Sequence, residues 1–261
     1  MAYCAYCKED EVLTREHIIP SFIYKYLNEN GGHAGWNERA GKIIGGEGKI
    51  KDTCAKCNNE ILGELDAHGQ NMLQNSGVYT LNFLNESMIL HYDYDLLLRW
   101  FLKITFNSAR ATRSTPSIFE KNIPYILGKQ KTNKDVFILS AIHKPAQMNA
   151  EEMDKYKDEL PFDKNGNSNP FFFRIVAIPN FDNDFTVKGL VIGSIMFLIV
   201  MFNQGIEQGF KKSKIRKLLK LYPGMKIIER KSKVTIIKQF NLTYLDTQKD
   251  QASRLQRLGV M

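Results

Sequence analysis

Apolar positions recur along this chain at two spacings. Between residues 93 and 110 they return every three or four residues, Leu96, Leu97, Trp100, Phe101 and Ile104 forming one broad face. That period predicts the clearest helix of the sequence. Residues 21–28 and 58–74 follow the same rule, the latter through Ile61, Leu62, Leu65, Met72 and Leu73. Shorter helices are expected at 118–127, 150–157 and 246–258. Residues 12–14, 17–19 and 49–53 read as short strands, Pro20 ending the second because it cannot donate a ladder hydrogen bond. Residues 136–142, 171–178, 185–191 and 195–202 read as longer strands. The last two are apolar on both faces and so central to a sheet. Residues 226–229 and 234–238 resemble a hairpin. Glycine clusters at 31–35 and 45–48 mark a mobile surface loop, and 164–169 a turn. The expected fold class is α+β: a compact module over 1–77, a strand or linker at 78–90, and a mixed α+β domain over 78–261.

Charge changes the picture in one place. The 261 residues carry a net +8, yet the 34 residues from Gly205 to Lys238 hold 11 Lys plus Arg against 2 acids, so the remainder sums to −1. The predicted helix at 206–221, stopped by Pro223-Gly224, concentrates Lys211, Lys212, Lys214, Arg216, Lys217 and Lys220. Such a helix suits an anionic partner. Nucleic acid is the partner we favour over an acidic protein or a lipid surface. A second cationic feature lies on the helix at 93–110. Arg99, Lys103, Asn107 and Arg110 fall within about 80° of arc, either as a solvated face or as an edge that contacts backbone phosphates.

The longest apolar run, 189–202, contains Gly193 and Ser194 and is too short to cross a bilayer. It reads as two strands meeting near Gly193, so no membrane role is expected. The chain opens directly on a cysteine pair, and its four cysteines have knuckle spacing, which points to a reducing cytoplasm.

Those cysteines are the chemical anchor. Cys4-x-x-Cys7 and Cys54-x-x-Cys57 are two soft-ligand pairs with the layout of a closed structural zinc site. The loop between them carries Glu16-His17-Ile18-Ile19-Pro20. An imidazole titrates near neutral pH and suits a general base. Glu16 and the amide of Asn58 offer hard oxygens to Mg²⁺ or Mn²⁺. On a regular strand Glu16 and His17 point to opposite faces, which allows one to reach a metal and the other a water. Asn58 is also a good helix N-cap. His33 is either solvent-facing or a phosphate contact, and His68, His91 and His143 are read as structural.

Cys4-x-x-Cys7, Glu16-His17-Ile18-Ile19-Pro20 and Cys54-x-x-Cys57-Asn58, in this order, resemble the HNH endonuclease family, the ββα-metal nucleases. The resemblance is greatest to zinc-stapled members such as phage junction-resolving nucleases, and covers roughly residues 1–75. It implies a metal-dependent endonuclease hydrolysing DNA, with His17 as general base, Glu16 and Asn58 as ligands of the catalytic ion, and the cysteines as a structural zinc site. The family's acid is most often Asp, and its middle Asn has no counterpart in Gly48-Lys49-Ile50-Lys51-Asp52-Thr53. Modules of this family are often fused to sensing domains, which implies a role in bacterial or phage defence, with 78–261 binding nucleic acid or a protein partner of a defence complex. The other reading is a nucleic-acid-binding zinc module whose nuclease site is degenerate or partner-activated.

Overall fold

The computed structural model describes residues 2–30, 35–37, 42–44, 46–80, 84–112, 117–158, 160–178 and 182–257. They form an α+β chain of two units. Unit 1 gathers Met1–Leu73, His91–Lys134 and Arg230–Lys233, and unit 2 gathers Gln74–Leu90, Asp135–Glu229 and Val234–Met261. The helix predicted at 93–110 falls in unit 1.

Unit 1 starts with strand β1 (Leu13–His17) and helix α1 (Ser21–Glu29). β1 is one strand where two short ones were expected. Within the expected glycine loop, β2 (Gly35–Asn37) and β3 (Lys42–Ile44) pair antiparallel. Gly31 to Ala34, including the candidate His33, and Gly45 lie outside the described residues. β4 (Lys49–Cys54) returns antiparallel to β1, Leu13 facing Cys54 and His17 facing Lys49. The register slips between Thr14 and Arg15, with Asp52 the extra residue on β4. The chain then enters a wide π-type segment, Lys56–Leu62, continuous with α2 (Gly63–Ser76). β1, β4 and this helix make a ββα arrangement.

Helix α3 (Tyr94–Ala111) is capped by Asp93, whose carboxylate accepts from the Asp95 and Leu96 amides. From Leu97 to Ala109 every residue except Arg99 is buried. It packs very close to α2, because a Cβ on Gly69 would lie 2.4 Å from the Trp100 ring. The helix expected at 118–127 is split into α4 (Ser117–Glu120) and α5 (Ile123–Ile126). Pro124 has no N–H to bond the preceding turn, so one helix cannot run through it.

Unit 2 is built on a seven-stranded mixed sheet of β5 (Ser87–His91), β6 (Val136–Lys144), β7 (Phe173–Ala177), β8 (Phe185–Ile192), β9 (Ile195–Phe202), β10 (Lys226–Ile227) and β11 (Val234–Thr243). The order is β5-β11-β6-β9-β8-β7, with β10 pairing β6 as well. All eight residues of β9 are buried, as its two apolar faces required. The apolar run breaks at Gly193, where φ is +58° and a Cβ would meet Phe171 and Val78 at 2.8 Å. The expected hairpin at 226–238 is corrected. β10 runs antiparallel and β11 parallel to β6, and neither pairs with the other. The residues between them, Arg230–Lys233, belong to unit 1.

Helix α6 (Ala150–Tyr156) carries an Asn149–Glu152 capping box. Helix α7 (Gln208–Leu221) sets Ile215 and Leu218 into the core formed by Leu139, Val187, Leu198 and Val200. Helix α8 (Tyr244–Arg257) packs Leu245 and Ala252 with Tyr156 of α6. Among the described residues no helix is long and apolar enough to cross a membrane.

Candidate functional site

The four cysteines come together. Their sulfurs all lie within 4.8 Å of one another, three of the residues being buried and Cys7 partly so. Cys7 Sγ and Cys54 Sγ are 3.7 Å apart, far beyond a disulfide at about 2.05 Å and close to the edge of a tetrahedron with about 2.3 Å metal–sulfur bonds. Local structure makes the cluster. Cys4 and Cys7 flank a tight turn closed by Lys8 N to the Cys4 carbonyl, with Lys8 at φ +67°. Cys54 ends β4, and Cys57 lies in the first turn of the following helix. Amides of Cys54 and Cys57 donate to Cys4 Sγ and Cys54 Sγ at 3.3 and 3.5 Å. Burial raises the Cys4 thiol, but backbone N–H groups of Cys54, Cys7 and Tyr6 outweigh it and bring the pKa to about 7. Burial and the neighbouring sulfurs push Cys57 upward. Four thiols in one small shell, already receiving N–H bonds, fit a metal ion such as zinc.

Beside this cluster, β1 turns its acid and its imidazole apart. Glu16 points inward and is 3% exposed. Its Oε1 lies 2.9 Å from Lys103 Nζ and accepts from Asn107 Nδ2 at 3.0 Å. Oε2 has no hydrogen bond among the described residues. Lys103 also holds Asp66 Oδ2 at 2.6 Å, and Asp66 accepts from Trp100 Nε1 at 3.1 Å. Asn107, fully buried, donates again to the His17 carbonyl at 2.9 Å, while its Oδ1 accepts from Tyr6 Oη at 2.5 Å and from Arg110. Arg110 in turn reaches Asp52 at 2.5 Å and lies over the Tyr6 and Phe106 rings.

His17 faces outward, its side chain 25% exposed. Nε2 meets Glu47 Oε2 at 2.9 Å, and Nδ1 has no partner among the described residues. Lys49 reaches the same Glu47 oxygen at 2.8 Å. Bonds from Lys49, then His17, hold the Glu47 carboxyl below its ordinary value.

Asn58 lies inside the helix, whose cap position is Ala55, so the N-cap alternative is corrected. Its Nδ2 donates to Thr14 Oγ1 at 2.8 Å and the Arg15 carbonyl at 3.2 Å. A carbonyl only accepts, so the nitrogen end must face β1. Oδ1 is left without a hydrogen bond among the described residues.

No family model, curated protein or solved structure matches this chain. Its residues alone therefore carry the functional reading.

The expected cationic edge on α3 is corrected. Lys103 is 1% exposed and neutralised by two carboxylates, the Arg110 side chain is 8% exposed and paired to Asp52, and half-buried Arg99 donates to the Ile126 carbonyl. These charges tie α3 to β1, β4, α2 and α5 instead of facing solvent. Helix α7 is corrected in part. Lys211 is buried against Asp135, and Lys214 contacts Asp182 and Asp184. Lys212, Arg216, Lys217 and Lys220 remain exposed. Sequence reasoning missed Glu47 and the partners of Glu16. The only signal for Glu47 was an acid among glycines just ahead of the returning strand. For Asp66 it was spacing on the helix after Cys57.

Proposed function

We propose that this chain is a zinc-stapled, metal-dependent nuclease of the HNH type that hydrolyses DNA phosphodiester bonds. The observation that carries the proposal is His17. A partly exposed imidazole, one nitrogen engaged and the other without a partner among the described residues, stands on the ββα arrangement that the cysteine cluster closes. In this reading His17 takes a proton from water, the water oxygen bonds to phosphorus, and the bond to the 3′ oxygen breaks. The leaving oxygen then takes a proton from solvent. Glu16 through Oε2 and Asn58 through Oδ1 are the oxygens suited to Mg²⁺ or Mn²⁺. A ligating carboxylate is normally anchored by hydrogen bonds from behind, which Lys103 and Asn107 supply at Oε1. The ion, when bound, neutralises charge on the phosphate. The exposed cations of α7 are the phosphate contacts of unit 2, which serves as the nucleic-acid or partner-binding unit of a defence nuclease.

The test is supercoiled plasmid incubated with the zinc-loaded chain and Mg²⁺ or Mn²⁺. Nicked or linear product is expected only with the added ion. DNA left intact with every divalent metal overturns the proposal. A second reading, a zinc module that binds nucleic acid without cutting it, is favoured by one observation: Glu16 is almost sealed from solvent and already neutralised by Lys103. Gel-shift binding without any cleavage is its signature.

A further inference from the structure

The His17 ring is held on its Nε2 side. Glu47 holds it. Its backbone position is fixed on the far side, where Gly48 N donates to Tyr24 Oη at 2.9 Å and the Gly48 carbonyl accepts from Ile18 N at 2.9 Å. Gly48 has little room for a side chain, since a Cβ there would sit 3.0 Å from Ile18 Cδ1 and 3.1 Å from Tyr24 Oη. The peptide after Glu47 is thus clamped beside the end of β1. Across the ladder His17 faces Lys49, and Glu47 Oε2 lies between the two, 2.9 Å from Nε2 and 2.8 Å from Nζ.

We propose that Glu47 is the positioning residue of the His17 general base, fixing both the ring's orientation and its tautomer. A carboxylate only accepts, so the nitrogen facing it carries the hydrogen. Nε2–H donates to Glu47, and Nδ1 keeps the lone pair that receives the proton from water. Lys49 restrains the same carboxylate from the neighbouring strand. The inference rests on the nuclease reading for its catalytic meaning, but the ring geometry can be read without any reaction.

The experiment compares Glu47→Ala and Glu47→Gln with the unmodified protein, each zinc-loaded and checked for an unchanged thermal melt. Ring ¹⁵N spectra of His17, recorded without DNA or added metal, are expected to show the Nε2–H tautomer in the unmodified protein. Glu47→Gln retains an acceptor oxygen and keeps that tautomer, whereas Glu47→Ala gives a mixture. In plasmid cleavage Glu47→Ala is expected to lower kcat roughly tenfold or more at unchanged KM, with Glu47→Gln recovering most of it. A ring in the Nδ1–H form, or one indifferent to Glu47→Ala, overturns the proposal. So does wild-type kcat in Glu47→Ala. If the unmodified protein cuts nothing, the nuclease reading fails, while the ring spectra still decide whether Glu47 positions His17.

Discussion

Lys103 Nζ stands 2.9 Å from Glu16 Oε1 and 2.6 Å from Asp66 Oδ2, with 1% of its side chain exposed. A buried ammonium is tolerable only with its charge answered, and the same holds for the carboxylates. Lys103→Met therefore leaves two acids uncompensated and is expected to cost about 3–5 kcal/mol in urea unfolding. Adding Glu16→Gln should restore part of that loss. A single variant as stable as the parent would remove the pair from the account of how α3 is held.

The cysteine cluster predicts one zinc per chain by elemental analysis. Cys54→Ser should release most of the metal, and chelation should lower the melting temperature, because Cys54 ends β4 while Cys57 begins the helix. A chain that melts identically with and without chelator contradicts a structural role for the ion.

His143 gives unit 2 a pH dependence. The ring is fully buried between the Ser194 carbonyl and Thr247 Oγ1, and burial, opposed by the Ser194 bond, lowers its pKa from 6.5 to about 4. Unfolded chain therefore binds this proton at a higher pH than folded chain does. The contribution is complete above pH 6.5 and is lost as pH falls toward 4, about 3 kcal/mol in all. Urea midpoints across that window should flatten in His143→Leu.

Helix α7 separates two kinds of lysine. Replacing Lys212, Arg216 and Lys220 together by Ala should weaken binding to any DNA sequence and make the slope of log K against log salt shallower, by up to about 0.9 for each phosphate no longer neutralised. Lys211→Ala should leave that slope alone and lower stability, because its charge is spent on Asp135. Equal effects on the slope from both variants would reject the division.

The cysteine pairs, the strand expected at 49–53, helix α3 and the central strands β8 and β9 were legible because each rests on local spacing. The direction in which α3 turns its charges was not. Arg99, Lys103, Asn107 and Arg110 share an arc whatever lies opposite, and what lies opposite, Glu16, Asp52, Asp66 and Tyr6, comes from distant sequence. The pairing of β11 with β6 was hidden for a related reason. A strand pattern reports which face is buried and says nothing of which neighbour completes the ladder. Among the candidate residues, Glu16, His17 and Asn58 were singled out by their chemistry, whereas the contact of Glu47 with His17 required knowing that β4 brings its loop back to the end of β1.

The most direct test of the central claim is His17→Ala in Mg²⁺-dependent plasmid cleavage, with zinc content and melting temperature matched to the parent. Cleavage should fall by a factor of about 10² or more, since the substitution removes the only group assigned to take the proton from water. Undiminished cutting by that variant would contradict the account.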